Sequence, residues 1–169
     1  MNLEEALRAL YDGEVQFVVI GGAAMQLQGS ARLTEDLDFC YLRNQRNIER
    51  LAKALAPFHP RLRGAPEGLP FRFDAATIER GANFTLLSDL GPIDFLAAVP
   101  GLGDYEAVEK EAESINLFGL QQKVLSIAGL IKAKKAAARA KDREAITELE
   151  AMLEYREKTG LKWPQPSRD

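Results

Sequence analysis

Apolar residues recur along this chain in two rhythms, one of about 3.6 residues and one of two, and the switches between them outline its elements. Leu3, Ala6, Leu7 and Leu10 share one face of a helix over 3–11, which Asp12-Gly13 ends. Residues 15–20, Val-Gln-Phe-Val-Val-Ile, are β-branched and aromatic and predict a buried strand. A short helix over 22–28 follows, stopped by Gly29, and a polar connection over 30–35 leads to a second strand over 37–42. Ile48, Leu51, Ala52 and Leu55 make an amphipathic helix over 44–56, ended by Pro57. Three prolines and two glycines mark 59–70 as a loop. Short strands are predicted at 71–73 and 77–78. Strands at 83–87 and 93–96 form a hairpin across Asp89-Leu90-Gly91-Pro92, and strands at 115–118 and 122–125 form another around Gly119. A short helix at 105–112 lies between them. Ser126 caps a helix to about 139, and Asp142 caps a last helix to about 158, ended by Gly160. Trp163 reads as a packing anchor for the tail.

Strands alternating with helices, then hairpins, then helices, predict an α+β fold. It consists of a mixed sheet of about five strands flanked by helices over 1–125, with a C-terminal helical part over 126–169 packed on it.

Composition narrows the function. With 169 residues, 46% of them hydrophobic, the chain can build one sizeable core. A net charge of −3 argues against a broadly basic surface for non-specific DNA binding. The single cysteine, Cys40, excludes an internal disulfide and a cysteine-rich zinc site, and on its strand it reads as a small core residue. The N-terminus lacks the layout of a signal peptide, and no apolar run reaches the length of a membrane span, so the expectation is a soluble, cytoplasmic protein with no membrane partner.

Candidate chemistry gathers at Gly21-Gly22 and at Asp36-Leu37-Asp38. The glycine pair closes the first strand, where backbone N–H groups can approach a phosphate. In a strand, residues two apart face the same side, so Asp36 and Asp38 aim at one spot. Paired carboxylates repel unless a cation lies between them, and a divalent metal meets that need. Asp94 is a third acid, inside the apolar strand Ile93-Asp94-Phe95-Leu96, where a charge is costly unless paired. It would either join a metal site with Asp36 and Asp38 or pair with Arg32 or Arg72.

The order Gly-Gly, short helix, Arg32-x-Thr34-x-Asp36-Leu37-Asp38-Phe39, then a later strand Asp, resembles the polymerase-β-type nucleotidyltransferase superfamily. The nearer likeness is to its minimal, abortive-infection-toxin-like branch, and it extends through the lysine-bearing segment 124–142. The resemblance implies a nucleotidyltransferase-like core and Mg2+ or Mn2+ held by Asp36, Asp38 and Asp94. It also implies Gly21 and Gly22 at the triphosphate, and transfer of a nucleoside monophosphate from an NTP to a hydroxyl with release of pyrophosphate. The acceptor would be RNA such as tRNA, a protein or a small molecule, and a cognate partner protein would fit a toxin–antitoxin setting. One departure is Gly-Gly where many members carry Gly-Ser, which removes a hydroxyl from the phosphate site.

Lys132, Lys135 and Arg139 fall at i, i+3 and i+7, one face of a helix. Lys132 and Lys135 would reach a nucleotide phosphate and Arg139 an acceptor, with Lys134, Lys141 and Arg143 adding positive charge nearby. Arg32 and Thr34 would either organise the loop or join the nucleotide site. Against an enzyme stands a non-catalytic nucleotide- or partner-binding module on the same fold. A phosphatase with a nucleophilic Asp fits less well, because Phe39 follows the acid pair where Thr or Val is expected.

Overall fold

A computed structural model describes residues 2–66 and 68–160. Its elements run α1 (Leu3–Asp12), β1 (Phe17–Ile20), α2 (Gly21–Leu27), β2 (Leu37–Tyr41), α3 (Gln45–Leu55), β3 (Arg61–Leu62), α4 (Ala75–Arg80), β4 (Phe84–Ser88), β5 (Gly91–Leu96), β6 (Ala98–Val99), β7 (Gly103–Asp104), α5 (Tyr105–Lys110), β8 (Ala112–Leu117), β9 (Leu120–Leu125), α6 (Ile127–Ala137) and α7 (Arg143–Thr159). Seven strands form one mixed sheet in the order β3-β4-β5-β2-β1-β9-β8, and β6 and β7 pair separately. The architecture is the expected α+β one. The expected count of about five strands falls short of seven: the unforeseen β3 forms one edge, and the expected 115–118 strand joins the same sheet as β8 at the other.

Register divides the sheet into two faces. β2 pairs with β1 antiparallel and with β5 parallel, placing Phe39 opposite Val19 and Phe95, and Asp38 opposite Ile20 and Asp94. β5 in turn pairs with β4, setting Phe95 against Phe84 and Asp94 against Thr85. Alternation along β2 therefore sends Leu37, Phe39 and Tyr41 to one face and Asp38 and Cys40 to the other.

The first face is aromatic. The Phe39 and Phe95 rings stack with centroids 5.4 Å apart, Phe17 meets Phe39 edge-on at 5.3 Å, and Tyr41 meets Phe95 edge-on at 6.1 Å. Phe73 extends the stack onto Phe95, and α4 begins just beyond it. α1, α3 and α4 pack on one another and bring Leu7, Leu10, Leu51, Leu55 and Ile78 into the same core. The second face carries the acids, with α2, α5 and α6 alongside.

Local chemistry sets several boundaries. Asn2, Asn44, Asp74, Asp104 and Ser126 each accept a hydrogen bond from a first-turn N–H of the helix they precede. Four expectations give way. Residues 71–73 form no strand. Thr77 and Ile78 lie in α4, not in a strand, because Asp74 caps that helix at 2.9 Å. The segment 59–70 contains β3, formed by pairing Arg61 with Leu87 and Leu62 with Leu86. Asp142 precedes α7 without capping it; its carboxylate turns to Lys134 and Arg139. The tail with Trp163 lies outside the described residues. No helix among the described residues is long and apolar enough to cross a membrane.

Phe39 is fully buried at the centre of the ring stack. Phe39→Ala is expected to lower unfolding free energy by about 3–5 kcal/mol, read by urea denaturation, because the vacated volume sits between strands that cannot close over it.

Candidate active site

The site starts from two adjacent parallel strands. β2 and β5 are in register at Asp38 and Asp94, so both side chains leave the sheet on the same side. Asp36 stands two residues earlier, just before β2, where Thr34 Oγ1 donates to the Asp36 carbonyl at 3.2 Å and accepts from its N–H at 3.4 Å. Gly21 and Gly22 open α2 directly against these acids. Gly21 has φ +61°, and a Cβ there would fall on the Asp38 carboxylate; a Cβ at Gly22 would lie 2.6 Å from Thr34 Oγ1. The pair is glycine because the backbone passes too close to the acid strand for side chains. The Gly22 N–H donates to Asp38 Oδ2 at 3.3 Å.

Burial and the neighbouring Asp94 and Asp36 push the Asp38 carboxyl up to about 6, against the pull of the Gly22 N–H and Arg63. Burial also raises Asp94, partly offset by Arg63. Arg63 is the residue that sequence reasoning missed. Its Nη1 donates to Asp36 Oδ2 at 3.0 Å and its Nη2 to Asp94 Oδ1. Asp94 thus pairs with an arginine, but neither with Arg32 nor with Arg72. The Arg63 Nε is buried without a partner among the described residues. No periodicity links Arg63 to the acids; its place just after β3, where its N–H bonds the Thr85 carbonyl of β4, brings it there.

A cleft of about 530 Å³ opens over these groups. Gly21, Gly22, Thr34, Asp36, Asp38 and Asp94 line one side. Leu130, Ala133, Lys134 and Ala137 of α6, with Arg139, Lys141 and Asp142 beyond it, line the other. The buried Asp142 receives Lys134 Nζ at 3.0 Å and Arg139 Nε at 2.7 Å, and these two cations hold its pKa below the usual carboxylate range despite burial.

Sequence-predicted residues divide accordingly. Gly21, Gly22, Thr34, Asp36, Asp38, Asp94 and Arg139 share the cleft. Lys132 and Lys135 do not. Lys132 Nζ is tied to Glu111 at 2.6 Å and Lys135 Nζ to Glu150 at 2.6 Å. Lys134 takes the position expected of them, because it continues the Leu130–Ala133–Ala137 stripe at helical spacing; that stripe was the usable signal. Arg32 lies outside the main cleft. It bonds Glu148 at 2.7 Å and Glu144 at 3.3 Å, pinning its loop to α7, and lines a smaller recess that shares Thr34, Lys134 and Lys141 with the cleft.

Among the described residues, no three His, Cys, Asp or Glu side chains stand close enough to hold a metal ion as they are placed. The expected meeting of three carboxylates at one point is therefore not what the side chains adopt: Asp36 and Asp94 turn to Arg63. The donor set still suits Mg2+ or Mn2+, since it consists of carboxylate oxygens on one wall, with Asp38 raised by burial and by its acidic neighbours.

The sequence matches no protein-family model and no curated protein. Among solved structures, the fold is similar to the solution structure of the antibiotic-resistance factor ANT(2'')-Ia, with TM-score 0.56 and 14% identity over 94% of this chain and 91% of that one. It is similar also to crystalline ANT(2'')-Ia in complex with adenylyl-2''-tobramycin (TM-score 0.54, 13% identity, 94% and 97% covered). A third likeness is an antigenic nucleotidyltransferase-like protein from Paracoccidioides brasiliensis (0.52, 16%, 92% and 78%). The chain has the nucleotidyltransferase fold.

Two predictions follow from the geometry. A folded-state carboxyl raised above its unfolded value stabilises the fold only while protonated, so Asp38 weakens the metal-free protein progressively between about pH 4 and 6. In EDTA at about pH 7.5, Asp38→Asn is expected to raise stability by about 1–2 kcal/mol, with the gain gone near pH 4 in parallel urea titrations. Gly21→Ala is expected to cost about 2 kcal/mol or more in the same assay, from its left-handed φ and the overlap with Asp38.

Proposed function

We propose that this protein is a Mg2+- or Mn2+-dependent nucleotidyltransferase that moves a nucleoside monophosphate from an NTP to a hydroxyl acceptor. The observation that carries this reading is the in-register pair Asp38 and Asp94 on parallel strands, joined by Asp36 beside Gly21-Gly22, all facing one cleft with a cationic opposite wall.

Asp36, Asp38 and Asp94 would hold the metal. Bound there, it would supply charge stabilisation to the phosphates and lower the pKa of the attacking hydroxyl. The chain's own residues do the rest. Gly21 and Gly22 let the triphosphate approach the backbone. Lys134, Arg139 and Lys141 neutralise phosphate charge from the opposite wall, with Asp142 orienting the first two. The acceptor oxygen bonds to the α-phosphorus while the α–β bridging P–O bond breaks and pyrophosphate leaves. The Asp94 carboxylate takes the acceptor proton; burial raises its basicity. The basic wall favours an acceptor that is itself anionic, such as an RNA end, over a polycationic aminoglycoside of the kind named with ANT(2'')-Ia.

A second reading has its own observation. Arg63 lies between Asp36 and Asp94, and if it stays there permanently the protein is a nucleotide- or partner-binding module without metal chemistry.

Mn2+ with an NTP is expected to raise the melting temperature of the wild-type protein by several degrees, about what 1–2 kcal/mol of linkage provides, and Asp36→Ala should remove that gain. Labelled NTP with total RNA is expected to give labelled RNA and pyrophosphate, lost in Asp38→Ala. Nucleotide binding without metal dependence and without transfer would select the binding module.

A further inference from the structure

Arg63 has a narrow set of attachments. Its backbone is fixed at the edge of the sheet, where its N–H donates to the Thr85 carbonyl at 3.0 Å. β3 is only two residues long, and Gly64 follows with φ +75° and open space around it. Among the described residues, the Arg63 side chain bonds Asp36 and Asp94 and nothing else. Its two η nitrogens fork across acids that come from separate strands. Asp38 is left out of this fork; among the described residues its one hydrogen-bond donor is the Gly22 N–H.

A guanidinium and a divalent ion are competing solutions to the same problem. Each neutralises carboxylates that would otherwise repel, and each demands the lone pairs of the same oxygens. Both cannot sit between Asp36 and Asp94, because they would repel at short range in a partly desolvated cleft. An arginine on a long, flexible stem, borne by an edge strand next to a glycine, can leave without disturbing the core.

We propose that Arg63 is a tethered competitor for the metal site: it holds Asp36 and Asp94 in the metal-free protein and must swing out before all three carboxylates can bind a divalent ion. This rests on the metal-dependent reading above. Asp38, outside the fork, is the first ligand an incoming ion meets. Exchange of the guanidinium for the ion then recruits Asp36 and Asp94. The device keeps the acids apart and screened when metal is scarce, and it lowers metal affinity until the site is to be used.

The experiment measures Mn2+ binding to the full chain by electron paramagnetic resonance, with Mn2+ alone as probe, for wild type, Arg63→Gln and Arg63→Lys. Arg63→Gln is expected to bind Mn2+ about tenfold or more tightly than wild type. It is also expected to melt lower in EDTA, because Asp36 and Asp94 lose their counter-ion, and to regain that loss with Mn2+. Arg63→Lys keeps the charge but cannot fork, and is expected to fall between the two. It also serves as the readout if the glutamine variant does not fold. Equal or weaker Mn2+ affinity in the Arg63 variants would overturn the competitor role while leaving the metal site standing. Absence of Mn2+ binding in all three proteins would overturn both this inference and the metal-dependent function.

Discussion

Two carboxylates on neighbouring parallel strands, level with one another, set the terms for this molecule. Adjacent strands are about 4.8 Å apart, and unit charges at about 5 Å in a medium of effective dielectric 20 repel by about 3 kcal/mol. Asp38 and Asp94 stand in that relation, and Asp36 adds a third charge nearby. Such an arrangement persists only with a cation beside it. Arg63 supplies one to Asp36 and Asp94, and Asp38 is left with a carboxyl shifted up to about 6 by burial first and by Asp94 and Asp36 after it.

The remainder of the fold makes that placement affordable. Alternation along β2 and β5 puts an aromatic side chain on the opposite face from each acid, so the residues flanking Asp38 and Asp94 are among the best buried in the protein. Stacked rings at Phe39, Phe95 and Phe73, together with α1, α3 and α4, fix the two strands laterally. Electrostatic repulsion on the acid face is therefore resisted by packing on the other. α2 then closes over the acid row with no side chain at its first two positions, which is why Gly21 and Gly22 occur where they do.

Much of this was legible in the sequence, and the exceptions have physical causes. The Asp-x-Asp spacing, the glycine pair and the strand acid at 94 are short-range signals, and register turned them into one wall of a cleft. Both hairpins were visible because alternation and turn residues lie within a few positions of each other. β3 was not, because two residues after a proline form a strand only when β4 is already present to pair with them. Arg63 escaped for the same reason: its partners are set by an edge pairing. α4 was hidden behind Thr77 and Ile78, whose β preference was outweighed by the Asp74 cap. On α6, counting lysines at helical spacing selected Lys132 and Lys135. Asking which lysine continues the apolar stripe would have selected Lys134, the one that faces the cleft.

The two walls of the cleft have opposite charge, and the balance is close. Three acids with Arg63 leave two net negative charges on the sheet side, while Lys134, Arg139 and Lys141 with Asp142 leave two net positive charges on the helix side. Neither wall can collapse onto the other without burying charge. Asp142 is the counterpart of Arg63: one ion of the minority sign on each wall, gathering two majority charges. The difference lies in their footing. Asp142 is almost fully buried at the junction of α6 and α7, whereas Arg63 hangs from a two-residue edge strand. The helix-side cations are thus held in place, and the sheet-side acids are held by the more displaceable partner.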